Sequence, residues 1–75
     1  MSDKFPTQYE MVLTWLKSKG NITAMEGFMD LYIVDLAGVI RDLRKNYIIE
    51  DEWVHKNNYY GKPIKFKRYF YKGEK

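Results

Sequence analysis

The chain has 75 residues, no cysteine, and 13 Lys and Arg against 10 Asp and Glu, for a net charge of +3. That length predicts one domain spanning residues 1–75, with a small core that buries only roughly 60% of the unfolded surface. Disulfide staples and thiolate metal sites are excluded. No apolar run nears the roughly 18 residues of a membrane span, and no charged-then-apolar leader is seen, so no membrane partner and a cytoplasmic location are expected. The charge is unevenly distributed: residues 1–37 carry a net −2 and residues 38–75 a net +5. Residues 55–75 alone hold seven bases and one acid, which makes an oriented field with a basic end.

Taken in chain order, Thr7-x-x-Glu10 has the spacing of a capping box and opens a first helix over about residues 7–19. Tyr9, Val12, Leu13 and Leu16 recur at helical spacing and form its buried face. Lys17 and Lys19 suit the negative end of the helix dipole, and Gly20 stops the helix. Thr23-x-x-Glu26 repeats the box and opens a second helix over about 23–31, with Met25, Phe28 and Leu31 as its inward stripe. Gly27 weakens that helix by about 1 kcal/mol relative to Ala, or permits close packing. Tyr32-Ile33-Val34 forms a turn plugged by Ile33. A third helix follows over about 35–45, with Asp35 as N-cap, Leu36, Ile40 and Leu43 inward, and Asn46 taking the left-handed cap position.

After Ile49 the period changes to that of strands. Residues 50–56, EDEWVHK, and 62–71, KPIKFKRYFY, alternate aromatic or β-branched residues with charges, around the turn NNYYG at 57–61. Ile64 and Phe66 fall on one parity and Tyr69 and Tyr71 on the other, which predicts a bulge near Lys67–Arg68. The fold class is therefore α+β: a three-helix helix-turn-helix core followed by a C-terminal β-hairpin wing, a winged helix.

The stretch TQYEMVLTWLKSKGNITAMEGF, followed by IVDLAGVIRDLRKNY and by Trp53-Val54, Asn58, Tyr60-Gly61-Lys62 and Arg68-Tyr69, resembles the small winged helix-turn-helix domains of phages and prophages. The resemblance runs from about residue 7 to about residue 71. It implies DNA binding in a host bacterial cell, through fold analogy. The chain departs from that family at the front of the third helix. There it has Val34, Asp35 and Val39 where the family tends to carry Thr, Arg and Arg, and Asn46 where a Gly is usual.

Two functions follow from the residues. The first is binding of double-stranded DNA, with a role in phage transcription or excision. Phosphate contacts need Lys, Arg or free amides. Arg41, Arg44 and Lys45 of the third helix and Lys62, Lys65, Lys67 and Arg68 of the wing supply the cations, with Tyr59 and Tyr60 as wing-tip contacts. Because a recognition helix reads bases with its N-terminal residues, Asp35 is poorly suited to that task. The second function is protein binding: a phage-encoded, anti-CRISPR-like inhibitor of a host protein, or a homodimer. Met11, Trp15, Met29, Tyr32, Val34 and Val39 are its interface candidates, since Met and aromatic residues are favoured at interfaces. No enzyme, cofactor or metal is expected. His55 is the one histidine, no phosphate-cradling Gly loop is present, and the acidic run 50–52 alternates across two strand faces.

Overall fold

The computed structural model describes residues 5–75, so the first four residues of the expected domain span lie outside the described residues. The chain runs α1 (Gln8–Lys19), β1 (Asn21–Thr23), α2 (Ala24–Leu31), α3 (Leu36–Leu43), β2 (Tyr47–Asn57) and β3 (Pro63–Glu74). The three strands form one antiparallel sheet in the order β1-β3-β2.

Local chemistry sets the helix ends. Thr7 Oγ1 accepts from the Glu10 amide at 3.1 Å while the Glu10 carboxylate accepts from the Thr7 amide at 2.9 Å. Thr23 and Glu26 repeat the exchange at 2.9 Å each way. Such boxes satisfy two orphan donors at once. Gly20 closes α1 in the left-handed region at φ 86°, a conformation that costs a residue with a Cβ about 1–2 kcal/mol. Asp35 caps α3 by accepting from the Gly38 amide at 3.1 Å.

Val12 and Leu16 of α1, Ile22 of β1, Ile33 of the turn, and Leu36, Ile40 and Leu43 of α3 meet Ile49 and Tyr69 of the sheet in one core. In a core this small, Leu16→Ala falls among substitutions that cost about 2–5 kcal/mol.

Several local expectations are corrected. Val39, expected outward, is in the core at 9% exposure, because positions 36, 39, 40 and 43 form one helical stripe on an eight-residue helix. Met25 and Phe28, expected inward, are 43% and 52% exposed. The cause is Gly27: a Cβ there would lie 3.2 Å from Leu36 Cδ2, so α2 approaches α3 through the face that has no side chain. That rotation turns the large residues out. Asn46 is not left-handed, since among the described residues the one non-glycine with positive φ is Tyr32. The chain leaves α3 through a tight right-handed turn, with the Lys45 and Asn46 amides donating to the Asp42 and Leu43 carbonyls.

The bulge is also not at Lys67–Arg68. Ile48 faces Gly73 while Ile49 faces Tyr71, so Lys72 is the extra residue, and the register is unbroken from there to the wing tip. The strands are longer than expected, and β1 lay too short in sequence to show a period.

Tyr32 ends α2 at φ 55°, with its amide donating to the Phe28 carbonyl and the Ile33 amide to the Gly27 carbonyl. The Tyr32-to-Phe28 bond is the 5→1 bond of a left-handed helix cap, where Gly is the usual occupant. The Tyr32 ring is 81% exposed, so little packing is lost with it. Tyr32→Gly is expected to stabilise the fold by about 1 kcal/mol and to raise the thermal midpoint by several degrees, read by far-UV circular dichroism. A lower midpoint would show that the ring contributes more than its exposure suggests.

Candidate nucleic-acid interface

The geometry of the wing follows from its register. On β2 and β3, Ile49, Asp51, Trp53 and His55 share a face with Tyr71, Tyr69, Lys67 and Lys65. At its base this face is the core: Ile49 and Tyr69 are buried there. Beyond the core it continues as a polar and aromatic surface next to α3. The opposite face carries Arg68, Phe66, Ile64, Lys56 and Val54.

Asp51 organises the first of these faces. Its Oδ2 accepts from the Arg44 guanidinium at 3.0 Å and from the Lys67 ammonium at 3.4 Å. Arg44 Nε also donates to the Ile49 carbonyl at 3.0 Å, so this one side chain ties the end of α3 to β2. One strand step further out, Trp53 is 52% exposed, with the Lys65 and Lys67 ammonium groups 4.8 and 5.2 Å from its ring centroid. Cations so placed gain from the ring quadrupole while keeping most of their hydration.

The DNA-contact candidates thus fall into distinct settings. Lys65 and Lys67 stand together on the α3-facing surface. Arg44 is committed to Asp51 and the Ile49 carbonyl. Arg41 is exposed on α3, and Lys45 is exposed with a loose 3.8 Å approach to Asp42. Lys62 is exposed at the start of β3. Arg68 lies on the opposite face beside Phe66 and Lys56, where its Nε is buried without a hydrogen-bond partner.

At the tip, Asn58 Oδ1 accepts from the amides of Tyr60 and Lys62, both at 2.9 Å, and Gly61 turns the chain at φ 83°. Tyr59 and Tyr60 stand out from this turn at 93% and 88% exposure, edge to face, with centroids 5.1 Å apart. Sequence reasoning missed Trp53 and Asp51 as the centre of the arrangement. Trp53 sits directly opposite Lys67, a relation that only the strand register reveals.

Of the protein-interface candidates, Met29, Tyr32 and Val34 are 62%, 81% and 86% exposed. Met11 and Trp15 are half-buried and line a groove of about 300 Å³ with Leu31 and Pro6. The Trp15 indole N–H donates to the Asn21 carbonyl at 3.0 Å, which joins α1 to β1. No helix among the described residues is long and apolar enough to cross a membrane.

The Arg44 hydrogen bond holds the Asp51 carboxyl below the usual aspartate range against the opposing effect of burial, with Lys67 adding to the lowering. A carboxyl depressed on folding contributes stability above its unfolded pKa, and that contribution is lost as pH falls through the folded value. From about pH 5 down to about pH 2 the thermal midpoint is therefore expected to fall more steeply for the parent than for Asp51→Asn. Parallel slopes would show that Asp51 adds nothing to acid sensitivity.

No curated protein and no solved structure is significantly similar to this chain. A protein-family model described as a winged helix-turn-helix domain matches residues 7–71, from the cap of α1 to the inner part of β3. That span takes in all three helices and nearly the whole hairpin, and a domain of this kind suggests a DNA partner. The chain belongs to the winged helix-turn-helix domain family.

Proposed function

We propose that this protein binds double-stranded DNA chiefly through its wing and the C-terminal half of α3, as a regulator of phage or prophage transcription or excision. The observation that carries the reading is the charge of the hairpin on this scaffold. From residue 53 to residue 73 there are six Lys and Arg and no acid. Lys67 shares Asp51 with Arg44 at the end of α3, Lys65 stands with it over the Trp53 ring, and Lys62 stands near the tip. In this reading Lys62, Lys65 and Lys67 meet phosphates, Arg41 and Lys45 hold the flank of the major groove, and Tyr59 and Tyr60 rest on sugars. Arg44 braces α3 against the wing and contributes its charge from a fixed place. Arg68 faces away and is secondary. The front of α3 adds little sequence reading, because the Asp35 carboxylate occupies its N-terminus. The phage context rests on the resemblance of the sequence to small phage and prophage domains.

The exposed Val34 beside Asp35 favours a second reading, in which the front of α3 binds and inhibits a host protein. Under that reading DNA affinity is negligible, and Val34→Ser abolishes the inhibition.

Titration of a fluorescent mixed-sequence duplex at low salt separates the two. DNA binding with a dissociation constant below about 100 μM is expected, and its absence would overturn the first reading. Lys62→Ala with Lys65→Ala should weaken binding to any sequence and lower the log–log salt slope by roughly two. Asp51→Asn releases Arg44 and Lys67 and removes a negative charge from the same surface. It is expected to tighten binding and steepen the slope, and weaker binding by this variant would remove the α3-facing surface from the contact.

A further inference from the structure

On the face of the hairpin that continues the core, Tyr69 and Tyr71 pack into or against the core, and Trp53 is the ring left open, at 52% exposure. The Lys65 and Lys67 ammonium groups lie over that ring, 4.8 and 5.2 Å from its centroid, so its face and not only its edge is open to charged groups. Arg44 stands further in, and His55 one step further out on the same face. The one acid there is Asp51, whose Oδ2 already accepts from Arg44 and Lys67. Glu50 and Glu52 alternate onto the opposite face.

A ring face bordered by ammonium groups repels a further cation. It favours a flat group tethered to negative charge. A nucleotide has that chemistry, with a π-face on its base and a phosphate on either side. In a duplex each base is stacked between its neighbours, and only base edges reach the grooves. A ring face can therefore take a base only from an unpaired strand. Magnitudes favour the exchange. A cation over an exposed ring is worth a factor of only about two to five, and a base stacked on one is worth about 5- to 150-fold. An arriving base thus displaces the ammonium groups from the ring and leaves them beside it.

We propose that Trp53 is a base-stacking platform and that this face of the wing binds single-stranded DNA, with one base on the indole and the neighbouring phosphates on Lys65 and Lys67. The proposal rests on the nucleic-acid reading of the wing and extends it beyond the duplex.

Two single strands test this at low salt: an oligothymidine of about 12 nucleotides and an abasic strand of the same length. They share phosphates and differ in bases. The parent chain is expected to bind the oligothymidine about 5- to 150-fold more tightly. Trp53→Ala should lose that advantage and keep the log–log salt slope, since no charge is removed. Trp53→Phe keeps a ring and should retain part of the advantage. Circular dichroism checks that both variants fold. Indole emission gives a readout on the parent alone. Trp15, the second tryptophan, is half-buried where α1 meets β1, so quenching by the oligothymidine but not by the abasic strand belongs to Trp53. That quenching should be absent in Trp53→Phe.

Equal affinity for the two strands overturns the proposal, as does a failure to bind either. So does a base advantage that survives Trp53→Ala, which would assign the stacking to Tyr59 and Tyr60. A parallel titration of the mixed-sequence duplex keeps the two readings apart. If the duplex binds and the single strands show no base advantage, this proposal alone falls. If Trp53 carries a base advantage and no duplex complex forms, this proposal stands and the duplex reading falls.

Discussion

The structure depends on β3 being paired on both sides. Its inner half is held between β1 and β2, with Tyr69 facing Ile22 on one side and Asp51 on the other. A strand so fixed cannot slip by one residue, because the slip would carry Tyr69 out of the core. The outer half inherits that register without further packing. Lys65 and Lys67 must then lie on the face that continues the core, next to α3, and Arg68 must lie on the other. The burial of one tyrosine thus decides which lysines can act together.

A second joint sits at Thr23. It is the last residue of β1, opposite Arg68, and also the cap of α2. Sheet and helix are joined there without a linker, and Thr23 is buried at 4% exposure with its hydroxyl satisfied by the Glu26 amide. From that joint α2 runs to its contact with Leu36 at Gly27. The absent side chain at residue 27 sets the rotation of α2 about its own axis, and so decides which residues the helix shows to solvent.

Features governed by near neighbours were legible in the sequence. Both capping boxes, the Gly20 stop, the Asp35 cap and the Asn–Gly turn depend on residues within about four positions, and spacing alone identifies them. The facing of α2 was not legible. A periodic count rewards large residues, and here the inward position is a glycine, so Met25 and Phe28 were read as core. Val39 misled in the opposite sense, through comparison with polar residues in related sequences, while its own spacing placed it inward. The two parities of apolar residues on β3 suggested a bulge because one buried face was assumed. In fact the other face of the hairpin also meets apolar surface, where Ile64 and Phe66 line a hollow with Thr23, Met25 and Glu26. At the candidate site, the cations were visible as a class, but their sorting was not. Arg44 meets Asp51 only after the chain reverses at residues 44–46, and the place of Trp53 between two lysines needs the cross-strand register.

The doubly accepting Asn58 carries a consequence of its own. Its carboxamide oxygen holds the Tyr60 and Lys62 amides while its backbone amide donates to the Lys62 carbonyl, so the tip is ordered before anything arrives. Ordering a loop on contact ordinarily subtracts from affinity, and a loop already ordered avoids that loss. In the proposed contact, part of the affinity of the two tyrosines therefore resides in a residue that need touch no partner. An asparagine behind the contact acts as its scaffold, and a search confined to touching residues would pass over it.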